Sequence, residues 1–344
     1  MSDNQKKTIY DIAQRAGASA STVSAALNGT WKKRRISEAT AKRIIEIARD
    51  HGYSANLQAR ALRTSRSGLV ALLLPEYNRF FSQIAQTFSR EVRARNLCPV
   101  IIATERDPEE ERSTVADLTS WAIDALFFVG TVAPEDLSRQ CEAARIPHVF
   151  VDQPCALAPS VVTDNRTGAQ VLTREILASM TALGGVGTAP RETIYFIGGN
   201  RHLPATANRI EGFSEALYFH VGRVDPAQII AETYDIDAAT EAIAALYARL
   251  GGLPRGLFIN SDSVFEGVLR FLATLPEHEL DACAFGCFDY EPFGQLLRFP
   301  VHMMRQRHKM LVRRAFALLG GDGTPIIEQV QPELYRAPIR DRAS

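Results

Sequence analysis

Residues 1 to about 60 place apolar side chains at the three- and four-residue spacing of amphipathic helices and contain no strand-like run. Thr8 and Asp11 form a capping-box pattern ahead of an apolar face of Ile12, Ala13 and Ala16, and Gly17 stops that helix. Ser19 caps a second helix with Val23, Ala26 and Leu27 inward and Ala20, Ser21 and Ala25 outward, ended by Asn28-Gly29. Ser37 caps a third, with Ala41, Ile44, Ile45 and Ala48 on one face, closing at Gly52. Three such helices bury one small core. From Gly68 the pattern changes to short aliphatic runs alternating with helix-length segments. The runs are "GLVALLLP", "PVIIAT", "DALFFVG" and "HVFVDQ", then "TIYFIGG", "QIIAETY", "GLFIN" and "ACAFGCFD". Continuous apolar strands separated by helices predict buried parallel sheets. Eight are too many for one sheet, so the body divides into two doubly wound α/β lobes of four strands each. Between headpiece and body runs "NLQARALRTSRSG", basic and weakly helical.

Composition changes this picture little. A chain of 344 residues, 46% hydrophobic and 8% aromatic, holds two or three domains with a large core. No apolar run approaches the roughly 18 residues that cross a bilayer, and the start "MSDNQKK" lacks a signal peptide's apolar centre, so a cytoplasmic protein is expected. The five cysteines lack CxxC spacing and the seven histidines are scattered, so reduced core thiols, no metal and no cofactor are expected.

Charge changes it more. The formal net charge is zero, yet residues 1–67 carry 13 Lys and Arg against 5 Asp and Glu, leaving 26 against 34 for the remainder. A helix, a glycine turn and a second short helix on a strongly basic segment make a helix-turn-helix for double-stranded DNA. Enzyme readings find no support: "GGVG" at 184–187 precedes a strand instead of following one, and no P-loop, GxSxG or HExxH occurs. In the body Asp152 ends "HVFVD", Asp289 ends "GCFD" and Arg209 opens "RIEGF". Carboxyl ends of parallel strands are where open α/β sheets bind ligands; paired carboxylates can take sugar hydroxyls, and an arginine fork can take a hydroxyl, a carboxylate or a phosphate.

The stretch "TIYDIAQRAGASASTVSAALNG", then "RRISEATAKRIIEIARDHGYSANLQARALRTSRSGLVALLLPE", resembles the LacI family of bacterial transcription regulators, as do "HVFVDQP", "NRIEGFSEAL", "GLFINSDSVFEGVLRF" and "AFGCFDYEPFGQLLRFPVHMMRQ". The basic loop "GTWKKRRIS" and the run "RQRH" resemble its fructose and sucrose repressor branch. The resemblance implies a helix-turn-helix headpiece over 1–55, a hinge over 56–67 and a periplasmic-binding-protein-like core over 68–344. It also implies a homodimer or tetramer on a palindromic operator, controlled by a sugar or sugar phosphate between the lobes. Thr8, Ser19, Thr22, Ser24 and Asn28 match phosphate-contacting or helix-docking positions, and Ala20, Ser21 and Ala25 match base-reading ones. Ser37, Thr40 and Asn56 join the DNA-facing set, and Leu62 matches the leucine that wedges into the minor groove. Ser261 and Gln306 match further cleft positions beside Asp152, Arg209 and Asp289; Phe81 and Arg106 lie near the cleft mouth.

The second helix is blunt for a reader of bases. Alanines meet thymine methyls and Ser21 hydrogen-bonds with little base preference, so direct readout is weak. Lys32, Lys33, Arg34 and Arg35 supply phosphate contacts, with Trp31 packed beneath them. The expected effector is a furanose or pyranose sugar, with Arg106 or Arg307 on hand for a phosphate. The chain is expected to re-enter the first lobe around Phe299 and to return near Pro325. A sugar-binding protein for transport or sensing is the competing reading; the basic headpiece speaks against it.

Overall fold

A computed structural model describes residues 8–27, 29–52, 67–321 and 323–337. The chain divides into two compact units, Met1–Gly68 and Leu69–Ser344. In the first, α1 (Ile9–Ala16), α2 (Ala20–Leu27) and α3 (Glu38–Asp50) pack around Ile12, Val23, Ala26, Ala41 and Ile44. The caps are those the sequence predicts. Thr8 and Asp11 exchange their hydrogen bonds, Ser19 Oγ accepts from the Thr22 amide at 3.1 Å, and Ser37 accepts from the Thr40 amide at 3.1 Å. Gly17 closes α1 at φ 59°, a left-handed position that suits a residue without Cβ. Two positions differ from expectation. Ile45 is 44% exposed, because Ala41, Ile44 and Ala48 already fill the inward stripe of α3. Ala25, expected outward, is 5% exposed: the chain after α2 folds back on it, with the Thr30 amide donating to the Ala25 carbonyl at 3.0 Å.

The second unit holds two six-stranded sheets. The first lobe contains β1 (Leu69–Leu74), β2 (Cys98–Ala103), β3 (Ala125–Val129), β4 (His148–Val151), β5 (Ser160–Thr163) and β11 (Ile327–Val330), in the order β11-β5-β4-β3-β1-β2. The second contains β6 (Ile194–Ile197), β7 (Ile229–Ile230), β8 (Gly256–Ile259), β9 (Ala284–Cys287), β10 (Val301–Arg305) and β12 (Glu333–Tyr335), in the order β12-β10-β9-β8-β6-β7. Every pairing is parallel except β10 with β12. The sheets are covered by α4 (Arg79–Ala94), α5 (Pro108–Ser120), α6 (Pro134–Ala143), α7 (Asn165–Ala182), α8 (Pro204–Val221), α9 (Ile236–Leu250), α10 (Asp262–Leu272), α11 (Glu277–Asp281) and α12 (His308–Leu319). The fully buried strands are the aliphatic runs, such as Ala125–Val129 and Gly256–Ile259, each large side chain contributing about 1.5–3 kcal/mol by leaving water. Cys141, Cys155, Cys283 and Cys287 are buried; Cys98, at the start of an edge strand, is exposed.

The lobes are interwoven, but the crossings fall later than expected. The chain leaves the first lobe after β5, re-enters it between β10 and α12, and returns between β11 and β12. The reason is pairing: Val301 still sits opposite Phe285 in the second sheet, and Ile327 opposite Ser160 in the first. Side chains stitch the crossings together. Thr163 Oγ1 donates to Gln306 Oε1 at 2.8 Å, Gln331 donates to Asp164, and Arg209 Nε donates to Asn165 Oδ1 at 2.8 Å. Close packing of α7 on α8 rests on Gly212, where an added Cβ would lie 2.1 Å from the Arg166 carbonyl oxygen. That oxygen is backbone and has nowhere to go, so Gly212→Ala should destabilise the core by roughly 1–3 kcal/mol, read from the urea midpoint.

Candidate effector cleft and DNA-binding headpiece

Between the lobes lies a cavity of about 60 Å³ whose wall includes all seven expected cleft residues: Phe81, Arg106, Asp152, Arg209, Ser261, Asp289 and Gln306. Asp152 follows β4 with φ 57°, a left-handed conformation that a short polar side chain tolerates and that functional sites collect. Its Oδ1 is buried without a hydrogen-bond partner. Burial raises its pKa to about 6, against the opposing pull of Arg209 and Arg106. Asp289, at the end of β9, receives Gln306 Nε2 at 2.9 Å and the Asp262 amide at 3.2 Å. Burial and the neighbouring Asp262 raise its pKa well above the ordinary carboxylate range, and Arg209 opposes them.

Arg209, 3% exposed on α8, stands at the centre. Its Nη1 donates to the Asn260 carbonyl at 2.6 Å, and its guanidinium lies 4.0 Å from the centre of the Phe288 ring. Nε and Nη1 are thus committed to protein, while no hydrogen bond is made by Nη2 among the described residues. Ser261 Oγ caps α10 by accepting from the Val264 amide. Arg106 donates to the Gly130 carbonyl at 2.9 Å, and Phe81 is 5% exposed. At the mouth the lobes touch: the Phe80 amide donates to Asp262 Oδ2 at 3.3 Å, and Arg79 pairs with Glu291 at 3.1 Å. Sequence reasoning missed Asp262 and Glu291. The place of Asp262, just after the buried strand "GLFI", is the signal that would have found it.

In the headpiece Ser19 Oγ also meets the Ser21 and Thr22 hydroxyls at 2.8 and 2.9 Å, gathering three oxygens at the start of α2. Ser37 and Thr40 repeat the arrangement at the start of α3. Ala20 is partly covered and Ser24 half-buried. Lys32, Lys33, Arg34 and Arg35 are exposed and have no carboxylate partner among the described residues. Their loop is a closed turn, with the Ile36 amide on the Trp31 carbonyl at 3.0 Å, Trp31 against the headpiece core and Lys32 Nζ 5.2 Å from the centre of the Trp31 ring. Asn28, Asn56 and Leu62 lie outside the described residues.

A family model described as bacterial regulatory proteins of the lacI family matches residues 8–56, and one for periplasmic binding proteins and the sugar-binding domain of the LacI family matches 67–274. The chain belongs to the LacI family. It is therefore a ligand-responsive DNA-binding transcriptional regulator. The ribitol operon repressor of Klebsiella aerogenes is 43% identical over 198 residues, 57% of this chain and 72% of that one. The sucrose operon repressor of Klebsiella pneumoniae is 30% identical over 92% of both chains. Among solved structures, the lac repressor dimer bound to operator and an anti-inducer has a TM-score of 0.76 at 18% identity, covering 97% of this LacI-family chain and 98% of that one. No described helix is long and apolar enough to cross a membrane, and no described cluster of His, Cys, Asp and Glu is suited to a metal.

Proposed function

We propose that this protein is a cytoplasmic, non-enzymatic repressor of pentitol-utilisation genes, released from its operator by an uncharged acyclic polyol such as ribitol. The observation that carries the reading is the pair of buried carboxylates, Asp152 and Asp289, around one arginine whose Nη2 has no described protein partner. Buried carboxyl groups hydrogen-bond to hydroxyls, while Arg106 is already tied to the Gly130 carbonyl and two of the three Arg209 nitrogens to protein oxygens, which leaves little cationic donor capacity for a phosphate. An uncharged polyol therefore suits the cleft better than the sugar phosphate considered from sequence. The name of the ribitol operon repressor supports the same ligand class. Calorimetric titration with ribitol, D-arabinitol, fructose, fructose 1-phosphate and sucrose, paired with mobility shifts on the gene's upstream DNA, tests it. Ribitol should bind and release the DNA. Binding of fructose 1-phosphate alone would overturn the pentitol assignment.

On the DNA side, a homodimer would set two headpieces on a palindrome, with Thr8, Ser19, Thr22, Ser24, Asn28, Ser37, Thr40 and Asn56 toward the backbone, Ala20 and Ser21 toward bases, and the segment 56–67 as hinge. Ala25, nearly covered, has little surface to offer a base. The four exposed cations of the loop then serve affinity. Neutralising Lys32, Lys33, Arg34 and Arg35 should weaken binding to all sequences alike and flatten the log–log salt slope by about 0.9 per lost contact. Altered base preference at an unchanged slope would rule out that role.

A further inference from the structure

Beside the effector cavity lies a larger groove of about 770 Å³, and Phe80, Asp262, Asp289 and Gln306 are walls of both. Its outer half is cationic. Arg90, Arg305 and Lys309 line it and have no carboxylate partner among the described residues. Arg305 packs on the Tyr290 and Tyr335 rings, at 4.1 and 4.2 Å from their centres. Aromatic faces hold a guanidinium in place without cancelling its charge, leaving its donors set for an anion. The first turn of α12 enters the same groove without a side-chain cap, adding the positive end of a twelve-residue helix. His308 responds to these surroundings: burial first, then Lys309 and Arg305, hold its pKa below the ordinary value. The acids of the groove are otherwise engaged. Glu333 pairs with Arg307; Glu291 lies 3.1 Å from Arg79 without a hydrogen bond at that oxygen, and burial raises its pKa to about 7, which lessens its charge; Asp289 and Asp262 form the inner wall, where each accepts backbone or amide hydrogen bonds.

We propose that this groove is a second ligand site, adjoining the effector cavity and sharing one wall with it, for a small phosphate monoester whose phosphate sits on Arg305, Lys309 and Arg90 and whose hydroxylated body faces that acidic wall. The volume suits a metabolite and falls within the range of small-molecule sites. Arg305 belongs to a strand of the second sheet, whereas Arg90 and Lys309 lie on helices packed on the first lobe. A dianion held by all three bridges the lobes and favours the closed arrangement. It should then shift operator affinity in the same direction as the polyol. The proposal rests on the reading of the neighbouring cavity as the polyol site only for that coupling.

The test is calorimetry on the full-length protein, at constant ionic strength, with inorganic phosphate and ribitol 5-phosphate, each with and without saturating ribitol. Ribitol 5-phosphate is expected to bind in the presence of ribitol and more tightly than inorganic phosphate. The exposed-site variant Arg90→Gln/Lys309→Gln, and separately Arg305→Gln, should weaken it about tenfold or more while ribitol affinity holds. Equal affinity for the two probes would overturn the assignment to a metabolite. Displacement by ribitol, or undiminished binding in both variants, would overturn the site. Failure of ribitol to bind, with ribitol 5-phosphate still bound through Lys309 and Arg305, would sink the pentitol reading and leave the groove standing.

Discussion

Arg209→Met is expected to yield a protein that holds its operator but no longer hears its effector. Methionine keeps the apolar stem beside Phe288 and removes a cation that acts on both Asp152 and Asp289. Two effects add. The ligand loses a charged donor, and the two carboxylates, already raised by burial, lose the cation opposing that rise. Effector affinity should fall about a hundredfold or more, the scale of one charge-assisted hydrogen bond of roughly 3 kcal/mol. Operator affinity without effector should stay within about twofold. The substitution also strands Asn165 Oδ1 and the Asn260 carbonyl, so the core should lose roughly 2–3 kcal/mol of stability, visible in a denaturant melt. The melt separates a missing ligand contact from a missing fold. A well-folded Arg209→Met protein with unchanged ribitol affinity would take this residue out of the site.

Leu62→Ser is expected to have an effect of similar size at the other end of the mechanism. On the proposal that 56–67 is a hinge and that Leu62 wedges into the minor groove, ligand-driven closure that alters the spacing of the first lobes in a dimer would part the two hinges and withdraw the wedge. Ligand would then prefer the state with released hinges, a shift of populations. Serine at this position should cost specific operator affinity a few kcal/mol, the scale of a lost wedge and its bend, while non-specific binding and ribitol affinity persist. A Leu62→Ser protein that still bends its operator and still discriminates it from random DNA would return Leu62 to the rank of an ordinary linker residue.

Local chemistry explains what was legible along the chain. Caps are decided within four residues, so Thr8, Ser19 and Ser37 were readable, and so were the helices they begin. Asp152 and Asp289 were readable because a buried parallel strand is a continuous apolar run and its end is conspicuous. Where signals compete or fade, the reading failed. Ile45 fits the apolar period of α3, yet its neighbours had already filled the small core. Four strands were missed: β5, at four residues, is too short to stand out beside "HVFVD", β10 carries histidine and arginine, and β11 and β12 are edge strands with exposed positions.

By itself, then, the sequence determined the helices, the long strands, the division into a basic headpiece and an α/β body, and the chemical character of the cleft. Tertiary structure alone decided which groups meet. Gln306 reaches Thr163 across 143 residues, and the Phe80 amide finds Asp262 across 182. The second groove exists only because β10 and α12, adjacent in sequence, pack on different lobes. Periodicity and capping report the forces between near neighbours on the chain. Crossings, shared walls and the meeting of one arginine with two aspartates around a single cavity arise from pairing between distant strands, whose free energy is gained only once the whole sheet has closed.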